Sequence, residues 1–181
     1  PWDFIRDSLL DELTIRSSED AYVDLLFESV PDFGAPLLCA TLPRAFVDLN
    51  RAPDELDPAL IAGSRQTGHN ARISSGLGVI PRVVANGREI RQGKISLAEA
   101  QNRLSDYYFP YHDKLSQLLN EARDEFGFCL LIDCHSMPRE ALLGTSYAFS
   151  EKPDIVLGDR FGATCDPEVF AQVEAIFRDL G

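Results

Sequence analysis

Apolar residues recur at two periods along this chain, and the two periods sort it into helices and short strands. Between Ser96 and Gly127 the positions Leu97, Leu104, Tyr108, Tyr111, Leu115, Leu118, Leu119 and Ala122 follow the helical repeat. Ser96 with Glu99 three residues on reads as a capping box, Gly127 as the left-handed stop, and Pro110 predicts a kink or a break into two helices. A second helix is expected over "DPEVFAQVEAIFRDL", with Asp166 as N-cap and Pro167 in its first turn. A third is expected over "SSEDAYVDLLFESV", where Ser17 or Ser18 caps a stripe of Val23, Leu26, Phe27 and Val30 and Pro31 closes the run.

Four compact apolar runs read as buried strands: "APLLCATL", "AFVDL", "FCLLID" and "PDIVLGD". The stretch from Arg51 to Gly93 is rich in Gly, Pro, Asn and Arg and reads as a long excursion. Inside it, Asn86-Gly87 marks a tight hairpin turn within "GVIPRVVANGREI". Strands alternating with helices predict one α/β domain over residues 1–181, with a mixed, mostly parallel sheet and helices on both faces.

Composition narrows the function classes. The 181 residues are 45% apolar and carry a formal net charge of −12, a surface that repels phosphate backbones and argues against nucleic-acid binding. No apolar run is long enough to span a bilayer. Four cysteines without a CxxC pair read as reduced thiols and a cytoplasmic protein. The chain opens at Pro1 and stops just after a helical pattern, so it is expected to be incomplete at both termini.

Ligands bind beyond the carboxyl ends of strands in open α/β sheets. Three such ends carry polar groups: Asp48, Asn50 and Arg51; Asp133, His135 and Ser136; Asp159 and Arg160. If they converge, they form one polar pocket. His135 is read either as a metal ligand or general base, with Asp133 available to fix its tautomer, or as a structural histidine. Cys134 as nucleophile is a rival reading, but neighbours on a strand point to opposite faces, so Cys134 and His135 cannot pair there. Asn50 and Arg51 offer an amide beside a bidentate fork suited to a carboxylate, with a surface ion pair as the alternative. Arg44 either joins that cavity or caps a turn. Glu19, Asp20 and Asp24 fall in the expected first turns of a helix, where the residues alone favour a helix-dipole role. His112 reads as a structural histidine within its helix, and nothing specifies a role for His69.

The segments "EDAYVDLLF", "GAPLLCATLPRAFVDLNR", "GLGVIPR", "YYFPYH", "LLIDCHSMP" and "PDIVLGDRFGATC", in this order, resemble the N-formylglutamate amidohydrolase family across nearly the whole chain. The resemblance implies an α/β hydrolase fold of the zinc exopeptidase type, similar to zinc carboxypeptidases and aspartoacylase. It implies hydrolysis of N-formyl-L-glutamate to formate and glutamate in the last step of a histidine-degradation route. It further implies that Asp20 and His135 are zinc ligands and that Asn50 and Arg51 hold a substrate carboxylate. Arg44 would polarise the scissile carbonyl or bind a second carboxylate, with Arg82 and Arg160 as further substrate-binding candidates. The family's other ligand histidine and its glutamate base lie in segments that this chain does not include. Alternatives are a hydrolase of another N-acyl acidic amino acid, or an amino-acid-binding module without catalysis.

Overall fold

The computed structural model describes residues 2–65, 70–137 and 153–180. They fall into two compact units, Pro1–Ser136 and Met137–Gly181. The first holds helices α1 (Trp2–Arg6), α2 (Glu12–Ile15), α3 (Val23–Leu26), α4 (Ala71–Ser74), α5 (Leu97–Arg103) and α6 (Phe109–Phe126). It also holds strands β1 (Ile61–Ala62), β2 (Val83–Val84), β3 (Arg88–Glu89) and β4 (Ile95–Ser96). β1 pairs with β4 in parallel, Ile61 facing Ile95, and β2 pairs with β3 antiparallel, Val84 facing Arg88. The fold is thus mixed α/β with both kinds of pairing. The second unit contains helix α7 (Pro167–Asp179).

Local chemistry sets several boundaries. The Ser96 side chain accepts the Glu99 N–H at 3.0 Å and starts α5. Gly127, at φ 79°, ends α6 with its N–H on Arg123 O. Asp166 caps α7 by accepting the Glu168 N–H at 2.8 Å. The β2–β3 hairpin turns through Asn86 and Gly87, both at positive φ, the conformation that this pair tolerates.

The core of the first unit gathers Phe46, Val47, Leu60, Ile61, Val79, Ile80, Ile95, Ala100, Leu104 and Tyr108. Burial of these side chains away from water is the main favourable term holding the unit together. Arg103 is drawn into the same layer. Its guanidinium lies 4.4 Å from the Phe46 ring centroid, donates to Phe46 O at 3.2 Å and pairs with Glu99.

Four expectations from the pattern are corrected. Of the kink or break expected at Pro110, the break into two separate helices does not occur. α5 and α6 are joined by a π-helical turn, Leu104–Tyr108, closed by the Phe109 N–H on Leu104 O five residues back, and this wider turn accommodates the missing proline N–H. "AFVDL" is buried as a turn instead of a strand, with the Phe46 N–H on Pro43 O. "SSEDAYVDLLFESV" forms only short helical pieces, because Tyr22 stands at φ 65° and Leu25 and Leu26 remain exposed. "APLLCATL" and "FCLLID" in the first unit, and "PDIVLGD" in the second, carry no ladder pairing among the described residues. A strand is made by its partner, and an apolar period does not supply one. The expected single sheet with helices on both faces is therefore represented here by two short ladders.

No helix among the described residues is long and apolar enough to cross a membrane. His69 and the chain around it lie outside the described residues.

Burial separates positions that one hydropathy scale would treat alike. Ile80 is 1% exposed and Leu131 is 54% exposed. Ile80→Ala is expected to lower unfolding free energy by about 2–5 kcal/mol and Leu131→Ala by no more than about 0.5 kcal/mol, both read from urea denaturation.

Candidate functional site

Asp48 anchors the site. Its main-chain N–H donates to Val79 O at 2.8 Å, and the residue is 5% exposed. Oδ1 accepts the Asn50 N–H at 3.0 Å, an Asx turn that bends the chain immediately before Arg51. Oδ2 accepts Arg44 Nε at 3.0 Å and lies 3.7 Å from Arg51 Nε. One buried carboxylate thus holds two guanidiniums by the same edge.

The other edges are arranged differently. Arg51 Nε also donates to Leu77 O at 3.2 Å, and its Nη1 to Asn50 O at 3.0 Å. Arg44 Nη1 reaches Asp20 Oδ2 at 3.4 Å. The Nη2 groups of both arginines have no protein acceptor among the described residues, so each keeps donors for an anionic ligand. Arg44, Asp48, Arg51, Ser18 and Leu77 line a cavity of about 480 Å³, a size suited to a small organic molecule.

His135 meets this cluster from the far end of the extended 128–133 segment. Its Nδ1 is 3.3 Å from Asp20 Oδ2, and its Nε2 is 3.1 Å from both Asp133 Oδ2 and Asn50 Nδ2. Asp20 is fixed in turn by the Ser136 N–H, 2.8 Å from its other oxygen. Asp20 precedes α3 and caps no helix, so the helix-dipole reading gives way to a side-chain contact across 115 positions of sequence.

Partial burial works against charging the His135 imidazole. The hydrogen bond to Asp20, the charge and bond of Asp133 and the charge of Asp20 outweigh it, and the pKa is raised above the ordinary histidine value. When both ring nitrogens carry protons they serve the two carboxylates. The neighbouring Cys134 thiol is pushed up, first by burial and then by Asp133 and Cys39, the opposite of what activates a thiolate nucleophile.

Asp20, Arg44, Asn50, Arg51 and His135 are therefore brought together. Arg82 makes its ion pair elsewhere. Its Nε donates to Asp57 Oδ2 at 2.9 Å, and Asp57 is 3% exposed. Arg160 belongs to the second unit, where it is exposed at φ 52° beside a turn in which Asp159 O accepts the Ala163 and Thr164 N–H groups. His112 lies against the site's main chain, with Nε2 3.0 Å from Leu49 O. Sequence reasoning did not single out Asp48 as the shared anchor. An Asp two residues before an Asn-Arg pair is an Asx-turn signal that could have found it.

The sequence model described as N-formylglutamate amidohydrolase matches residues 1–181. The chain is similar to the N-formylglutamate deformylase of Pseudomonas putida, 30% identical over 177 residues, covering 96% of this chain and 60% of that protein. It is likewise similar to the Pseudomonas aeruginosa N-formylglutamate deformylase, 30% identical over 171 residues, with 93% of this chain and 58% of that protein covered. The chain thus spans about 60% of the length of the curated relatives it matches. The crystal structure of N-formylglutamate amidohydrolase from Ralstonia eutropha JMP134 superposes with a TM-score of 0.88 at 36% identity, covering 100% of this chain and 65% of that one.

The two carboxylates make a titration prediction for the metal-free protein. The raised folded-state pKa means that His135 contributes stability fully below about pH 6.5, the value of an unstructured histidine, and loses it as pH rises through the folded pKa. An NMR titration should place the His135 midpoint above about 6.5, and Asp20→Asn should move it downward.

Proposed function

Because the chain belongs to the N-formylglutamate amidohydrolase family, we propose that it carries the substrate grip and part of the metal site of an enzyme that hydrolyses N-formyl-L-glutamate to formate and L-glutamate. In this reading the reaction closes a histidine-degradation route. The observation that supports it most is the contact of His135 with Asn50 at 3.1 Å, which sets an imidazole of metal-ligand chemistry against the Asn-Arg fork.

The donor set fits zinc as a ligand pair. The Asp20 carboxylate and the His135 imidazole converge at 3.3 Å, and Asp133 at the other ring edge can fix the tautomer. They are one protein ligand short of a three-ligand catalytic centre among the described residues. A zinc ion bound there would act as a Lewis acid on the formyl oxygen and acidify a water molecule.

The chain's own residues divide the remaining work. Arg51 and Asn50 hold a substrate carboxylate and so fix the position of the amide. Arg44, between Asp48 and Asp20, faces the formyl carbonyl and stabilises the negative charge that develops on its oxygen. Asp48, between the two guanidiniums, keeps both aimed into the cavity. The free thiols of Cys39, Cys129, Cys134 and Cys165 accord with a reducing cytoplasm, and the net charge of −12 with a small-molecule substrate in place of nucleic acid.

Two donors without a third also accord with a second reading, an amino-acid-binding module without hydrolysis. A hydrolase of another N-acyl acidic amino acid would use the same fork, which reads the carboxylate and not the acyl group. Formate release from N-formyl-L-glutamate, with and without added zinc and beside N-acetyl-L-glutamate as competitor, separates the three. Zinc-dependent formate release is the expected result. Binding of L-glutamate without release points to the module, and preference for the acetyl compound changes the acyl assignment. Arg51→Lys should raise KM by about tenfold or more with kcat less affected, because lysine cannot form the two parallel hydrogen bonds.

A further inference from the structure

The "YYFPYH" segment is left without a role by the reading above, yet it touches the grip directly. Pro110 cannot supply a helical N–H, and the chain passes it through the π-turn Leu104–Tyr108. Such single turns are rare and concentrate at functional sites. Tyr108, the last residue of that turn, and His112 stand four residues apart on one helix face, with ring centroids 4.3 Å apart.

That face meets the Asp48–Arg51 segment at two main-chain oxygens. The Tyr108 hydroxyl donates to Arg51 O at 2.8 Å. The His112 ring is 3.0 Å from Leu49 O, and because a carbonyl only accepts, Nε2 carries the proton. The carbonyls of Leu49 and Arg51, the two neighbours of Asn50, are therefore tied to one helix, while Asp48 holds the Asn50 N–H between them at 3.0 Å. Tyr108 is 7% exposed, and its hydroxyl is kept protonated as a donor by burial first and then by the negative charges of Asp54 and Glu55.

We infer that Tyr108 and His112 are positioning residues for the Asn50–Arg51 grip: they touch no substrate and set the angle of the amide and the guanidinium through the carbonyls of Leu49 and Arg51. The inference rests on the carboxylate-gripping role proposed for that pair. Loss of either bond frees one peptide plane, and a small rotation there swings the Arg51 fork away from a planar carboxylate.

The test uses Tyr108→Phe, which removes the hydroxyl and leaves the ring in the core, in the full chain with L-glutamate as probe. Calorimetry should show L-glutamate binding weakened roughly tenfold in Tyr108→Phe, the scale of one lost hydrogen bond. In an Arg51→Ala background the same substitution should weaken binding by less than about twofold, because the two residues act through one contact. Equal binding by wild type and Tyr108→Phe, or a tenfold loss in both backgrounds, overturns the inference. If the wild-type chain binds no L-glutamate, the carboxylate reading fails by itself, and the Arg51 Nε–H exchange rate decides the positioning claim. Faster exchange in Tyr108→Phe and in His112→Phe supports it, and an unchanged rate in both overturns it.

Discussion

A carboxylate out of water has to be matched by positive charge and hydrogen bonds where it stands, and Asp48 meets that demand with two arginines at once. Its two oxygens take the Arg44 Nε and the Asn50 N–H, with the Arg51 Nε 3.7 Å from Oδ2, while its own N–H is fixed to Val79 O in the core. Removing one partner of a buried ion pair leaves the others uncompensated, so the group behaves as a unit. The rest of the site is hung from this group. The Asx turn exposes Asn50 and Arg51, Arg44 reaches Asp20, and Asp20 holds the main chain at Ser136, beside His135.

The cluster therefore links distant parts of the chain through charge, where the described residues offer little sheet to do so. The hydrophobic core lies under α5 and the π-turn, and its helix face also carries Tyr108 and His112 to the carbonyls around Asn50. Packing thus rigidifies the grip from below while ion pairs aim it from the side. Arg82 shows how easily a guanidinium is diverted from this arrangement. Bound to Asp57, it stabilises a different loop.

Much of the local structure was legible in the sequence because its causes are local. The Asn86-Gly87 hairpin, the Ser96 and Asp166 caps and the Gly127 stop each arise from the conformational freedom or hydrogen-bonding reach of one or two residues. The features that were not legible depend on distant partners. "FCLLID" has the composition of a buried strand, yet pairing is a property of two segments. "AFVDL" is buried as a turn because Asp48 bonds to Val79 O and not along a ladder. Residue chemistry alone favoured a helix-dipole role for Asp20, and only family resemblance pointed it toward His135. Which buried acid Arg82 and Arg51 each meet could not be read from either position.

The central claim is that a carboxylate grip at Asn50 and Arg51 stands directly against the imidazole of His135. Crystals of the protein soaked in L-glutamate test it most directly. The account predicts one ligand carboxylate within about 2.7–3.1 Å of the Arg51 guanidinium and the Asn50 amide, with the amino end turned toward His135 and Asp20. Ordered glutamate at another surface, or a cavity without ligand at saturating glutamate, would contradict it.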